Sequence, residues 1–291
     1  AYLNNNATSP NITGRPSING SPIGAGGYCS ASVGYTDVRL EICAGSYEIY
    51  RTWLVGNSCL PPSATNPMSG VQRIRVKDFG GPQFNCPATV TVSTDPFNCC
   101  ATAALPKMIV SEGCSNVVGL EAKVTGTDPN NGNVITFTVP GHLEDFPGNN
   151  YWNPDTMAVF NYTQCLPLGD YNVRYKASDL CGNISSCNFI LKVEDLVPPA
   201  VACDQTTKVA LTNDGTAVIN ASTFDDGTTD NCCLDHFEVS RMNGNSCSGT
   251  GFGPTVKFCC SDIGDTVLVV FRAFDCHNNV IKTDLVTFTK Q

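Results

Sequence analysis

The chain has 291 residues, of which 42% are apolar and only 15% charged, and it carries a net charge of −9. That length suits two or three domains, and an acidic balance without a basic cluster excludes a nucleic-acid partner. No apolar run approaches the roughly 20 residues a helix needs to cross a bilayer, and no basic amphipathic helix marks a membrane surface.

Helical periodicity is nearly absent, and alternating β-branched and aromatic segments dominate. Ala1–Gly20 is polar, Asn-rich and poor strand material, and Ala1 reads as a mature terminus left by cleavage. Strands are predicted over Ala88–Ser93, Val117–Val124, Val134–Val139, Met157–Tyr162, Tyr171–Ala177 and Cys187–Val193. Further on they are predicted over Lys208–Thr212, Thr216–Asn220, Phe237–Arg241, Val267–Phe274 and Leu285–Thr289. Asn131-Gly132 and Asp214-Gly215 each separate two such runs and favour the positive φ angles of tight hairpins.

One strand-like segment recurs three times: Gly45–Trp53, Gly169–Ala177 and Gly264–Ala273. Cys43, Cys165 and the Cys259/Cys260 pair precede the copies; Cys59, Cys181 and Cys276 follow them. Self-similarity at this scale marks one structural unit copied along the chain. Two proline-stiffened joints, Val76–Pro82 and Val193–Pro199, divide it into 1–78, 79–195 and 196–291. The predicted class is all-β, with tandem β-sandwiches. The first unit holds only the closing half of the pattern, and a sandwich missing strands exposes its edges and core. Either the chain is a piece of a longer array, or another copy supplies the missing strand.

Seventeen cysteines point to an oxidising, extracytoplasmic site. Paired Cys-x-x-Cys knuckles, which zinc would want, are missing. Each bridge typically adds about 2–4 kcal/mol, large against the ~5–15 kcal/mol of a domain. The candidates for bridges are Cys43, Cys59, Cys86, Cys99, Cys100, Cys114, Cys165, Cys181, Cys187, Cys203, Cys232, Cys233, Cys247, Cys259, Cys260 and Cys276. An odd count leaves at least one cysteine outside any intrachain bridge. The adjacent pairs Cys99-Cys100, Cys232-Cys233 and Cys259-Cys260 are each expected to serve different partners, since a ring between neighbours is strained.

Tyr175-Lys-Ala-Ser-Asp-Leu-Cys-Gly-Asn183, followed by Cys187–Val193 and Glu194-Asp-Leu-Val-Pro-Pro199, resembles the hyalin-repeat type of immunoglobulin-like module. Asp226-Gly-Thr-Thr-Asp-Asn-Cys232 is similar to the internal Asp-Asn-Cys turn of those repeats. The resemblance covers about two thirds of the chain. It weakens in the last unit, where Asp275-Cys-His-Asn-Asn279 stands for Asp-x-Cys-Gly-Asn, and in the first, which keeps Asn57-Ser-Cys59 and Val71–Asp78. It implies tandem immunoglobulin-like domains and an adhesive or structural role in a large secreted or cell-surface protein.

No catalytic motif is found around His142, His236 or His277, and Gly24-Ala-Gly-Gly27 lacks a following helix signature, so no enzyme is expected. The acidic turn Asp225, Asp226, Asp230 and Asn231 offers oxygens that suit calcium, which takes 6–8 oxygen ligands; solvated turn formers are the plainer reading. Asp78 and Asp195 at the joints could hold calcium or simply accept backbone hydrogen bonds. No other cofactor is expected. Asn-x-Ser/Thr occurs at Asn6, Asn11, Asn161, Asn183 and Asn220, candidates for N-glycans. Tyr151 and Trp152, in an irregular stretch, could form a platform for a sugar or protein, or cap a sandwich end.

The expectation is a secreted, non-enzymatic structural protein, a subunit or segment of a surface fibre, filament or adhesin. Its expected partners are other copies of itself, joined by strand donation from Ala1–Gly20 or Asn279–Gln291. The alternative is a carbohydrate- or protein-binding module of a longer cell-surface protein.

Overall fold

Alternating apolar residues bounded by Gly, Pro and Asn turns set the strand lengths. The computed structural model describes residues 8–24, 30–63, 65–102, 105–145, 156–162, 164–204, 206–244 and 247–288. The first group is an antiparallel sheet of β1 (Ala31–Cys43), β2 (Ser46–Asn57) and β3 (Met68–Val76), in that order. β1 was not among the predicted strands. Its apolar residues sit at odd positions (Val33, Tyr35) and then switch to even ones (Val38, Leu40, Ile42), which hides the period of two.

The central group contains β4 (Gln83–Phe84), β5 (Thr89–Ser93), β6 (Leu105–Ser111), β7 (Val117–Thr127), β8 (Val134–Asp145), β9 (Thr156–Phe160), β10 (Gly169–Asp179) and β11 (Ile184–Glu194). Their order is β4-β6-β9-β8-β7-β10-β11-β5. β8 belongs to two layers. Its first half, Val134–Pro140, pairs with β7; its second, Gly141–Asp145, pairs with β9. The change of layer falls at Pro140-Gly141, where a Cβ on Gly141 would lie 2.5 Å from the Phe160 ring. One layer is therefore β4-β6-β9-β8 and the other β8-β7-β10-β11-β5, with β5 running parallel to β11. These are the ABED and CFG sheets of an immunoglobulin-like sandwich, with the first strand divided between both sheets.

Tyr171 near the start of β10 donates its hydroxyl to the Pro167 carbonyl at 2.9 Å, the tyrosine corner of that fold. Burial pushes its phenol up to about 12. Tyr171, Val173, Tyr175 and Ala177 on β10 meet Val110, Ala122, Val124, Phe160 and Phe189 in the core.

The third group repeats the plan with fewer strands. β12 (Thr216–Asn220) pairs with β14 (Thr255–Cys259), and β13 (Leu234–Arg241), β15 (Val267–Asp275) and β16 (Val280–Phe288) form a sheet in the order β13-β15-β16. Ala217, Val256 and Phe258 from the first pair meet Val239, Val267, Val269 and Phe271 from the second sheet. Lys208–Thr212, predicted as a strand, forms no ladder; Thr212 N–H instead bonds the Thr216 carbonyl across the Asp214-Gly215 turn. The chain is thus all-β, disulfide-rich and built of tandem immunoglobulin-like units.

The layer change is a point of close packing, so it makes a sharp test. Gly141→Ala should lower stability by about 1–3 kcal/mol, because a methyl group there must displace the Phe160 ring or Leu120. Urea unfolding should show a lower midpoint with an unchanged slope. A midpoint equal to wild type would mean that the bend tolerates a side chain.

Candidate functional site

Two joints and one uncovered sheet concentrate the unusual side chains. Each joint is built the same way. Where β3 runs out, Asn183 Nδ2 donates to the Asp78 carbonyl at 3.2 Å and to Asp179 Oδ2 at 2.9 Å. Where β11 runs out, Asn279 Nδ2 donates to the Asp195 carbonyl at 2.8 Å and to Asp275 Oδ2 at 2.8 Å. The turn between the last two strands of one unit thus grips the linker that enters it. Gly182 supplies the left-handed conformation of the first such turn (φ 84). Asn278 does so in the second (φ 65), which is why an Asn can stand there in place of the expected Gly.

Both joints are also covalent. Cys43–Cys181 ties the β1–β2 turn to the gripping turn of the central unit, and Cys99–Cys232 ties the central unit to the third. Gly45 abuts the central unit so closely that a Cβ would lie 2.6 Å from the Cys114 carbonyl oxygen. Cys86–Cys187, Cys100–Cys165, Cys233–Cys276 and Cys247–Cys259 lie within units, and Cys59 is also disulfide-bonded. Bridges in this number belong to an oxidising compartment. The members of each adjacent pair do part company: Cys99 and Cys100 bond Cys232 and Cys165, while Cys232 and Cys233 bond Cys99 and Cys276. Cys259 bonds Cys247, but Cys260 keeps an exposed thiol, as does Cys114. Cys203 lies at the edge of the third core, its backbone paired antiparallel with that of Asp225.

Acidic groups gather at the same two joints. Ligand atoms of Asp78, Glu112 and Asp179 lie within 4.8 Å of one another, as do those of Asp195, Asp275 and His277. Burial alone would raise the Asp179 carboxyl, but the hydrogen bonds from the Asn183 side chain and backbone N–H hold it below its ordinary value. The carboxylates of the predicted calcium turn are not among the groups that gather so closely. Asp225 accepts from Thr228 N–H and Asp230 from Cys232 and Cys233 N–H, while the Asp226 N–H bonds the Ala202 carbonyl. Asn231 reaches the second joint, donating to Thr94 Oγ1 at 2.9 Å and to the Asp95 carbonyl at 3.0 Å. Sequence reasoning missed Glu112, Asp179, Asp275 and Asn279 as joint residues. The shared Asp-x-x-x-Asn spacing of 179–183 and 275–279 was the available signal.

Of the glycan candidates, Asn11, Asn161 and Asn220 are exposed. Asn183 is committed to the first joint: the amide nitrogen that would carry a glycan makes the two bonds just described. Asn6, Tyr151 and Trp152 lie outside the described residues.

The first sheet lacks a second layer among the described residues. Aligned on their opening glycines, Tyr47, Ile49, Arg51 and Trp53 of β2 match the core residues Tyr171, Val173, Tyr175 and Ala177 of β10. Arg51 therefore stands where an aromatic packs in the central unit, and it is 1% exposed. Its guanidinium makes two bonds to Asp37, both 2.8 Å, and lies over the Tyr35 ring. The remaining donors reach the N-terminal segment, at the Thr8 carbonyl (2.8 Å) and Thr13 Oγ1 (3.0 Å). Gln72 Nε2 adds a bond to the Thr13 carbonyl. Beside this anchor an open cavity of about 610 Å³ runs between Ile18 and Ile23 of that segment and Trp53, Val55 and Met68 of the sheet. The opposite face exposes Val38, Leu40, Ile42, Leu54 and Val71.

No family model matches the sequence, and no curated protein matches it. Solved structures with some likeness include the zebrafish RET cadherin-like domains 1 to 4, at 11% identity and a TM-score of 0.27, covering 90% of this chain and 66% of that one. The human desmocollin-1 ectodomain is 16% identical with a TM-score of 0.25, covering 83% and 44%. An I-band fragment of titin is 11% identical with a TM-score of 0.40, covering 88% and 82%. The chain spans less than two thirds of the length of the first two. Superpositions this loose carry no weight for function.

On the open face of the first sheet, Glu48 accepts from Arg73, Tyr50 and Arg75. The bond from Arg73 holds its carboxyl down to about 2, against the opposing effect of burial and with help from Tyr50 and the two arginine charges. A depressed carboxyl stabilises the fold above its ordinary value of 4.5, and that contribution is lost as pH falls through about 2. Glu48→Gln should therefore flatten the fall in melting temperature between pH 5 and 2 relative to wild type. Parallel curves would show that this ion pair does not sense the folded state.

Proposed function

We propose that this chain is a non-enzymatic, load-bearing segment of an extracellular fibre or adhesin, made of three modules of hyalin-repeat type with bounds 1–78, 79–195 and 196–291. Copies associate by exchanging the N-terminal segment. The observation that carries this reading is the first sheet, whose core-facing side is covered, among the described residues, by a segment anchored on Arg51 that holds one helical turn (Pro10–Thr13) and a two-residue hairpin (Ser17–Ile18 with Ser21–Pro22). Such a cover is attached through a few side-chain bonds and an unfilled cavity, so it can be replaced by the same segment of a neighbouring copy. The C-terminal strand is a poor donor, because β16 already pairs with β15 from Phe274↔Val280 to Val267↔Phe288. Disulfides across both joints suit a segment that transmits tension.

Light scattering and electron microscopy test this. The oxidised chain should form linear oligomers, whereas a variant lacking residues 1–23 should stay monomeric and bind a synthetic peptide of that sequence. Arg51→Met in the truncated chain should weaken peptide binding at least tenfold, the loss of about two charge-assisted hydrogen bonds. A truncated chain that still polymerises, or that ignores the peptide, would rule out exchange of this segment.

A further inference from the structure

The two joints carry more negative charge than their hydrogen bonds satisfy. At the second, Asp195 is 2% exposed and Asp275 is 1% exposed. Asp195 Oδ1 accepts from Thr94 Oγ1 and from Val197 N–H, but Oδ2 is buried and accepts no hydrogen bond. His277 Nδ1 stands 3.2 Å from that oxygen, an ion-pair distance without hydrogen-bond geometry. Asn231, linked to Asp195 through Thr94, buries an unpartnered Oδ1, and its neighbour Asp230 buries an unpartnered Oδ2. At the first joint the equivalent residues are Asp78 and Asp179, and again the linker carboxylate leaves its Oδ2 buried without a partner. There Glu112 adds a third carboxylate and a second orphaned oxygen, Oε2.

An unpaired buried charge is costly, and like charges at this spacing repel more strongly as water is removed. A positive ion between them reverses the sign. Oxygens bound to Ca²⁺ at 2.3–2.6 Å lie up to about 5 Å from one another, and the grouped ligand atoms here fall within 4.8 Å. Hard carboxylate and amide oxygens favour such an ion over a soft one. The repetition is informative as well: the chain places the same two carboxylates, with the same orphaned oxygen, at both joints.

We propose that each joint holds a divalent cation of the Ca²⁺ class. The ion bridges the carboxylate ending one module (Asp78 or Asp195) to the one opening the gripping turn of the next (Asp179 or Asp275). The first joint, with three carboxylates, binds it more tightly. The ion fixes the angle between modules, since its ligands come from both sides of the linker. This holds whether or not the N-terminal segment is exchanged.

Titration calorimetry of the chelator-treated, oxidised chain with CaCl2 should show two ions per chain and a higher melting temperature with Ca²⁺ bound. Asp78→Asn with Glu112→Gln should weaken the tighter site at least tenfold, and Asp195→Asn should weaken the other to a similar degree. Disulfide mapping and circular dichroism should match wild type in both variants, which separates lost binding from lost folding. No heat of binding up to about 10 mM CaCl2, tenfold above the weakest extracellular modules, would overturn the proposal. So would two ions that survive both sets of substitutions. A single ion sensitive only to the Asp78/Glu112 pair would overturn it for the second joint.

Discussion

The bond from a turn asparagine to the carbonyl of the incoming linker organises this molecule. Asn183 and Asn279 each spend one amide group on two tasks: closing their own turn through Asp179 or Asp275, and holding the backbone at Asp78 or Asp195. Because the same nitrogen does both, the turn cannot relax without releasing the neighbouring unit. A side-chain amide also has a fixed reach, so the linker must leave the preceding strand at one distance and direction. The disulfides Cys43–Cys181 and Cys99–Cys232 then bond parts that are already adjacent. The bridges preserve that packing by restricting the unfolded chain.

With the joints defined, the differences between units become meaningful. All three keep the trio of strands that carries the closing segment, in the same antiparallel order: β1-β2-β3, β7-β10-β11 and β13-β15-β16. The central and third units cover that trio with a second layer and fill the space with Tyr175 or Phe271. In the first unit Arg51 occupies the matching place. A buried guanidinium requires acceptors, and its donors take them from Asp37, Thr8 and Thr13. One residue type thus changes the kind of partner the sheet can accept, from an apolar layer to a segment rich in carbonyls and hydroxyls. Ala1–Gly20 has that composition, although it makes poor strand material.

Much of this organisation was legible in the sequence because it is periodic. Alternation located β7, β10, β11, β12 and β15, and the Asn131-Gly132 turn appears with Gly132 at φ 73. The recurring glycine-led segment marked the central strand of each unit. What escaped had lost its period or depended on distant residues. β1 changes phase near Asp37, since Arg51 needs a carboxylate on the covered face while Val38, Leu40 and Ile42 turn to the other. Lys208–Thr212 alternates well enough, but no neighbour lies in register to bond it. The joint cluster at Asp78 needs Glu112, just past β6, and Asp179, the last residue of β10, and only folding brings them together. Asp225 and Asp230 are close in the sequence, yet their carboxylates accept from separate backbone N–H groups, those of Thr228 and of Cys232.

The bridges also determine where tension would travel. A pull on the two ends enters through β1 and reaches Cys43, from which the shortest covalent route crosses directly to Cys181. That bridge spans 138 residues, so β2 and β3 and nearly all of the central sandwich lie off the stressed path. From Cys181 the route follows the start of β11 to Cys187, crosses to Cys86, runs along β5 to Cys99, crosses to Cys232 and, from the neighbouring Cys233, passes a further 43 residues to Cys276. Within the central unit the stressed strands are the start of β11, held by β10, and β5, which pairs with the rest of β11. The linker carbonyls at Asp78 and Asp195 sit beside this path, gripped by the turns that the bridges anchor. Shielding the cores and reinforcing the joints are therefore the same arrangement. At the first joint both follow from putting a cysteine and an asparagine together in the turn between β10 and β11; at the second the asparagine keeps that place and the bridge across the joint is Cys99–Cys232.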